Sequence, residues 1–156
     1  MTRTRIRTTV LCVLSLGITS VAWGEDQSAK ASSKRDALRI AVQEICPSSG
    51  VKLGEHGTPV KVKVGKEHVF LCCKSCLKKK ISPKHWATIH HNFAKAQKIC
   101  PVMEHELPKK PKWTIVDGQV VFICCPPCTK KIADDPQTYL RKVDKLYTAS
   151  LNKKVR

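Results

Sequence analysis

Eight of the nine cysteines of this chain fall in one pattern that is written twice. The first copy contains Ile45-Cys46-Pro47 and later Val69-Phe70-Leu71-Cys72-Cys73-Lys74-Ser75-Cys76. The second contains Ile99-Cys100-Pro101 and later Val121-Phe122-Ile123-Cys124-Cys125-Pro126-Pro127-Cys128. From Pro59 to Cys76 the copies align without a gap at an offset of 52 residues. The Ile-Cys-Pro triplets stand 54 apart, so the second copy is two residues shorter in between. Each copy has about 50 residues. A unit that small buries too little apolar surface to fold securely alone, and usually leans on a metal, disulfides or a partner. The cysteines are therefore expected to hold each copy together as well as to carry its chemistry.

The ninth cysteine, Cys12, lies in a segment of another kind. Residues 1–24 read as a secretory signal peptide. Arg3, Arg5 and Arg7 form a basic start, Val10 to Trp23 is apolar apart from Ser, Thr and Gly, and Ala22 and Gly24 offer small residues for cleavage before Glu25. The apolar run is shorter than the about 20 residues a spanning helix needs. A cleaved leader is thus expected rather than a stable membrane anchor, and the mature protein is placed outside the cell or in the periplasm. Without residues 1–24, 26 of the 29 Lys and Arg remain against all 12 Asp and Glu, a net charge of +14. Such a balance suits polyanions. For an exported chain, anionic surface polymers or simple solubility are the expected reasons, and nucleic acid is not an expected partner.

Local patterns place the cysteines on elements. Pro59 to Val64 alternates Val with Lys and Pro at period two, as a half-buried strand does, and His68 to Cys72 returns after the Gly65-Lys66-Glu67 turn. In the second copy Trp113–Val116 and Val120–Cys124 flank Asp117-Gly118, a hairpin signal. Ser82-Pro83 and Asp135-Pro136 each offer an N-cap with proline at the first helical position. Trp86, Ile89, His90 and Phe93 then share one helical face, as do Leu140, Val143 and Tyr147. A further helix is expected from about Asp36 to Ile45, capped by Ser33, with Leu38, Ala41, Val42 and Ile45 inward. Residues 25–33, small and polar, read as a disordered lead. The domain reading is 1–24 leader, 25–43 polar lead and helix, 44–97 first cysteine module and 98–156 second. The helix near residues 83–98 bridges the two modules.

The chemistry this pattern favours is metal binding. Cys73-x-x-Cys76 and Cys125-x-x-Cys128 put two sulfurs on one tight turn, close enough to chelate one ion. A turn leading into a helix start favours thiolate. The hairpin would carry this cluster back beside Cys46 or Cys100, converging three or four thiolates, which suits Zn(II) or Cu(I), one per module. Lys74, Lys78, Lys79, Lys80, Lys130 and Lys131 would offset the charge. Adjacent strand residues face opposite ways, so one of each Cys-Cys pair is expected to be the inner ligand. Cys73 is the favoured one if the Cys-x-x-Cys turn forms.

The Cys-Pro start, the hairpin ending in Val-Phe-(Leu/Ile)-Cys-Cys and the final Cys together resemble the TRASH/YHS-type heavy-metal-binding modules. Those are treble-clef-like relatives of zinc fingers, tied to heavy-metal sensing, trafficking and resistance. The resemblance covers nearly all of residues 44–145, twice. It implies an α+β fold of two tandem treble-clef-like modules (Cys-Pro knuckle, β-hairpin, helix). It also implies Cys46, Cys72 and Cys76, with Cys100, Cys124 and Cys128, as ligands. The chain departs from the group in a longer gap after the leading cysteine and in the extra Cys73 and Cys125. The second copy also lacks the stretch Leu53-Gly54-Glu55-His56-Gly57. The function expected is storage, delivery or resistance for a thiophilic ion, with a metal-transport or envelope protein as a candidate partner.

Two other readings compete. An exported protein with an even number of cysteines suits structural disulfides, two bridges per module in any of three connectivities. Cys-x-x-Cys at a helix start also occurs in thiol-disulfide oxidoreductases, which set it in a βαβ context that this chain lacks. His56 stands where it could serve the first site and His105 where it could complete the second, and His90-His91 could form a weak surface site. A solvated or packed imidazole is the plainer reading of all six histidines. No Ser-His-Asp order, carboxylate pair, phosphate loop or dinucleotide fingerprint is present, so no enzyme is expected.

Overall fold

A computed structural model describes residues 24–155, and the expected signal peptide up to Trp23 lies outside them. The described residues form an α+β fold with four helices and two antiparallel hairpins. Helix α1 spans Gly24–Gln43 and is followed by β1 (Val60–Val64) and β2 (Glu67–Leu71). A 3-10 turn over Lys74–Lys78 leads to α2 (Pro83–Gln97). The second half has β3 (Lys112–Val116), β4 (Gln119–Ile123), α3 (Pro127–Asp134) and α4 (Pro136–Val155).

The hairpins follow from the sequence pattern. In β1 the valines are half-buried and Lys61 and Lys63 are exposed. Val60 pairs with Leu71 and Val64 with Glu67; in the second hairpin Lys112 pairs with Ile123 and Val116 with Gln119, the same register 52 residues on. Asp117 and Gly118 have φ of 48° and 74°, the left-handed pair that a two-residue hairpin loop requires.

Helix α1 differs from the expected element at both ends. It begins at Gly24 instead of near Asp36, so residues 25–33 are helical, not a disordered lead. Ala, Lys, Gln and Glu dominate that stretch and all favour helix. It stops at Gln43 because Glu44 takes φ 65°, a left-handed helix terminus. Lys98 ends α2 in the same way at φ 56°. At the helix starts, Asp135 Oδ1 accepts from Thr138 N at 3.2 Å and caps α4, whereas Ser82 makes no side-chain cap.

Helices α1, α2 and α4 pack on one another. Their shared core holds Val42, Ile89, Phe93, Leu140, Val143 and Tyr147, together with β4 and Cys100, Cys128 and Ile132. Each large side chain fully removed from water there contributes about 1.5–3 kcal/mol. Ala41, expected inward, is exposed, and Arg39 takes a buried place instead. Its guanidinium donates to Gln119 Oε1 at 3.1 Å and to the His68 carbonyl at 3.3 Å, and lies 4.9 Å from the centre of the Phe93 ring. Arg39 thereby ties α1 to both hairpins. A smaller core, built of Cys46, Leu53, Phe70, Leu71, Cys72 and Cys76, sits in the first half. Among the described residues no helix is long and apolar enough to cross a membrane.

Candidate metal centres

Each leading cysteine stands on a tight knuckle. Cys46 N donates to the Val51 carbonyl at 2.8 Å, Gly50 N to the Cys46 carbonyl at 2.9 Å, and Leu53 N to the Glu44 carbonyl at 2.8 Å. The same three bonds recur 54 residues on: Cys100 N to His105 O at 2.8 Å, Glu104 N to Cys100 O at 2.9 Å, and Leu107 N to Lys98 O at 2.8 Å. Pro47 and Pro101 follow the cysteines and are buried.

The returning strand is fastened to the knuckle by a side chain that the sequence reading passed over. Gln43 is fully buried. Its Nε2 donates to Ile45 O at 2.9 Å and Phe70 O at 2.7 Å, and its Oε1 accepts from Phe70 N at 2.9 Å. One amide thus joins the residue before Cys46 to the residue two before Cys72. Gln97 does the same for Ile99 and Phe122, at 3.0, 2.7 and 2.9 Å. The signal was present in the sequence as Gln-x-Ile-Cys-Pro at both positions. The last cysteine of each set arrives on a turn, Cys76 N donating to Cys73 O and Cys128 N to Cys125 O, both at 3.2 Å.

Two groups of three sulfurs result. Cys46, Cys72 and Cys76 have Sγ atoms within 4.8 Å of one another, as do Cys100, Cys124 and Cys128. Sγ–Sγ separations are 3.6 Å for Cys72–Cys76, and 3.8 Å for both Cys100–Cys128 and Cys124–Cys128. Four sulfurs held about 2.3 Å from a central zinc would lie about 3.8 Å apart. The donor set and its spacing therefore fit a thiophilic ion in either half.

Cys73 and Cys125 stand beside these groups. Cys73 Sγ is 3.8 Å from Cys72 Sγ and 3.9 Å from Cys76 Sγ. Cys125 Sγ is 3.7 Å from Cys124 Sγ and 3.2 Å from Cys128 Sγ. The Cys-x-x-Cys turn was expected to make Cys73 the inner sulfur, whereas the group that forms with Cys46 holds Cys72. The turn forms, yet Cys72 is the buried member and Cys73 is partly exposed. Cys73 is still extended, at φ −161° and ψ 167°, and its sulfur stands at the exposed edge of the group. Among the described residues all eight cysteines are unbridged.

The surroundings divide the thiols. Burial pushes Cys46 up, but hydrogen bonds from the Ser49 hydroxyl and the backbone of Cys72, Ser49 and Ser48 outweigh it and bring its thiol down to about 6. Cys76 is pushed up to about 12 by burial and by its hydrogen bonds with Cys72, Cys46 and Cys73. In the second half Cys100 is likewise lowered, its backbone donors at Met103, Cys124 and Val102 overcoming burial, and burial raises Cys128. Each group thus pairs one thiol lowered from its ordinary range with one raised above it.

No described histidine joins either group. His56, His91 and His105 are exposed. His90 Nε2 instead meets Glu67 Oε2 at 2.9 Å, between the rings of Trp86 and Trp113. No protein-family model, curated protein or solved structure matches this chain.

Proposed function

We propose that this is an exported, non-enzymatic protein that binds a thiophilic metal ion, zinc or copper(I), in each of two treble-clef-like modules. The modules correspond to residues 44–97 and 98–156, and they resemble the TRASH/YHS type. Cys46, Cys72 and Cys76 hold one ion and Cys100, Cys124 and Cys128 the other. Storage, delivery or protection against the ion would all use such sites.

The observation that carries this reading is the convergence of three sulfurs, twice, within 4.8 Å and largely removed from water. Neutral thiols pack as small hydrophobes, but three of them with their Sγ atoms drawn together also form a ready ligand set. A shared cation would use that set and make metal binding part of the folding free energy. Exposed lysines follow each site (Lys74, Lys78, Lys79 and Lys80; Lys130 and Lys131) and lower the cost of the surplus negative charge. The same lysines suit anionic surface polymers or an acidic envelope partner.

The test is anaerobic purification followed by elemental analysis and thiol counting. Two ions per chain, with eight reactive thiols after chelation, is the expected result. Cys76→Ser and Cys128→Ser are each expected to leave one ion per chain. A protein with neither metal nor free thiols would be a disulfide scaffold, and one that reduces insulin disulfides would be an oxidoreductase. Export is tested separately: the mature N-terminus is expected at Glu25.

A further inference from the structure

The two sulfur groups share their local hydrogen bonds, yet they do not face water alike. In the first, Cys46, Cys72 and Cys76 are all buried, at 0%, 3% and 3% exposure. In the second, Cys100 and Cys128 are buried, but Cys124 is partly exposed together with its neighbour Cys125. Sequence differences accompany this. The Ser49 hydroxyl covers the first group, 3.4 Å from Cys72 Sγ. Its counterpart 54 residues on is Met103, which is 46% exposed and has no hydroxyl to offer. In the turn, Lys74-Ser75 is replaced by the exposed Pro126-Pro127, which carries no N–H to hold a sulfur. Cys125 Sγ also comes nearer its group, 3.2 Å from Cys128 Sγ against 3.9 Å for Cys73 and Cys76.

Resting on the reading of both groups as metal centres, we propose that the second is an exchange centre. There Cys125 supplies the surface sulfur through which the ion passes to or from a partner presenting paired thiols, while the first centre retains its ion. A thiophilic ion changes hands by associative steps in which the incoming sulfur binds before the outgoing one leaves. That requires solvent access to the ion and a spare sulfur close by. The second centre has both; the first has its three sulfurs sealed. The steps balance without electron transfer. Cys125 binds the ion and passes its proton to Cys124 as Cys124 lets go; the partner's two sulfurs then displace two cysteines, each giving its proton to the cysteine it replaces, and the last cysteine takes its proton from a water that replaces it on the ion as hydroxide. Lys130 and Lys131, exposed beside Cys128, favour an acidic or thiolate-bearing partner.

The chain, prepared without oxygen and loaded with two equivalents of Zn(II), is mixed with excess synthetic peptide bearing a Cys-x-x-Cys pair. The ions remaining are followed by native mass spectrometry. Two phases of one ion each are expected, separated by at least about tenfold, and Cys125→Ser slows the faster phase by about tenfold. A single phase overturns the proposal, and that requirement stands on the unsubstituted protein even if the variant folds poorly. An unchanged fast phase in Cys125→Ser also overturns it, as does a variant holding only one ion, which would make Cys125 a holding ligand. A chain that takes up no Zn(II) at all refutes the metal reading beneath it.

Discussion

At the scale of single residues, the site is assembled by amides as much as by sulfurs. Gln43 and Gln97 each satisfy three backbone groups that face the interior between the knuckle and the returning strand. Removing either amide leaves the Phe70 or Phe122 N–H buried and unpaired, and such a group costs about 1–3 kcal/mol. Gln43→Ala and Gln97→Ala are therefore each expected to lose about 3 kcal/mol of stability, read from denaturant midpoints in the metal-free protein. Each should also weaken metal binding in its own half by about tenfold or more, because the sulfurs lose their alignment. Wild-type midpoints in both variants would show that the amide is incidental. Arg39 belongs to the same scale and was not legible in the sequence, where its neighbours Leu38 and Val42 define the apolar stripe. A guanidinium goes inside there because the His68 carbonyl, Gln119 and the Phe93 face happen to meet beneath α1, and that meeting is long-range.

At the scale of elements, the two hairpins differ in what their turns touch. Gly118 lies under the His68 ring, and a methyl group added there would overlap that ring. The Gly118 carbonyl also accepts from His68 N at 2.6 Å, joining the second hairpin's turn to β2. Gly65, in the first turn, has open space around it at φ 59°. Gly65→Ala is thus expected to cost only the left-handed strain, about 1–2 kcal/mol. Gly118→Ala should cost clearly more, since the ring must also move, and thermal unfolding of the two variants side by side measures the difference. Equal losses would mean that the turn does not pack on β2. Both hairpins were readable from alternation and from Asp117-Gly118, because those signals are local. The lead helix was not readable, because a polar Ala- and Lys-containing stretch has helix propensity but no apolar stripe to distinguish it from a disordered segment. The sulfur groups were readable as sets of eight residues. The choice of Cys72 over Cys73 was not, since it depends on where the strand ends and on the conformation of a single residue.

At the scale of the whole molecule, the two halves differ in how much of their core is sulfur. The second sulfur group is embedded in the large core that α1, α2 and α4 close around Phe93, Leu140, Val143 and Tyr147, where Cys100 and Cys128 are two of fourteen buried members. Three of the six buried members of the first core are Cys46, Cys72 and Cys76 themselves, with only Leu53, Phe70 and Leu71 to accompany them. Lysine and glutamate pairs fasten the outside, Lys154 to Glu44 at 2.6 Å and Lys142 to Glu104 at 2.8 Å. Such exposed pairs add little, so they do not compensate for an ion lost from the first half. Stripping the protein of metal under reducing conditions should therefore leave the three-helix core and the β3–β4 hairpin protected against hydrogen exchange, while the amides of Phe70, Leu71 and Cys72 lose most of their protection. The faster-exchanging centre would then lie in the half that tolerates being empty, and the retained ion in the half that needs it to stay folded. On the proposed function, that pairing would let the protein release an ion without unfolding. Uniform protection of both halves in the metal-free protein, or uniform loss, would show that the two cores are energetically alike and that the division of labour has no basis in stability.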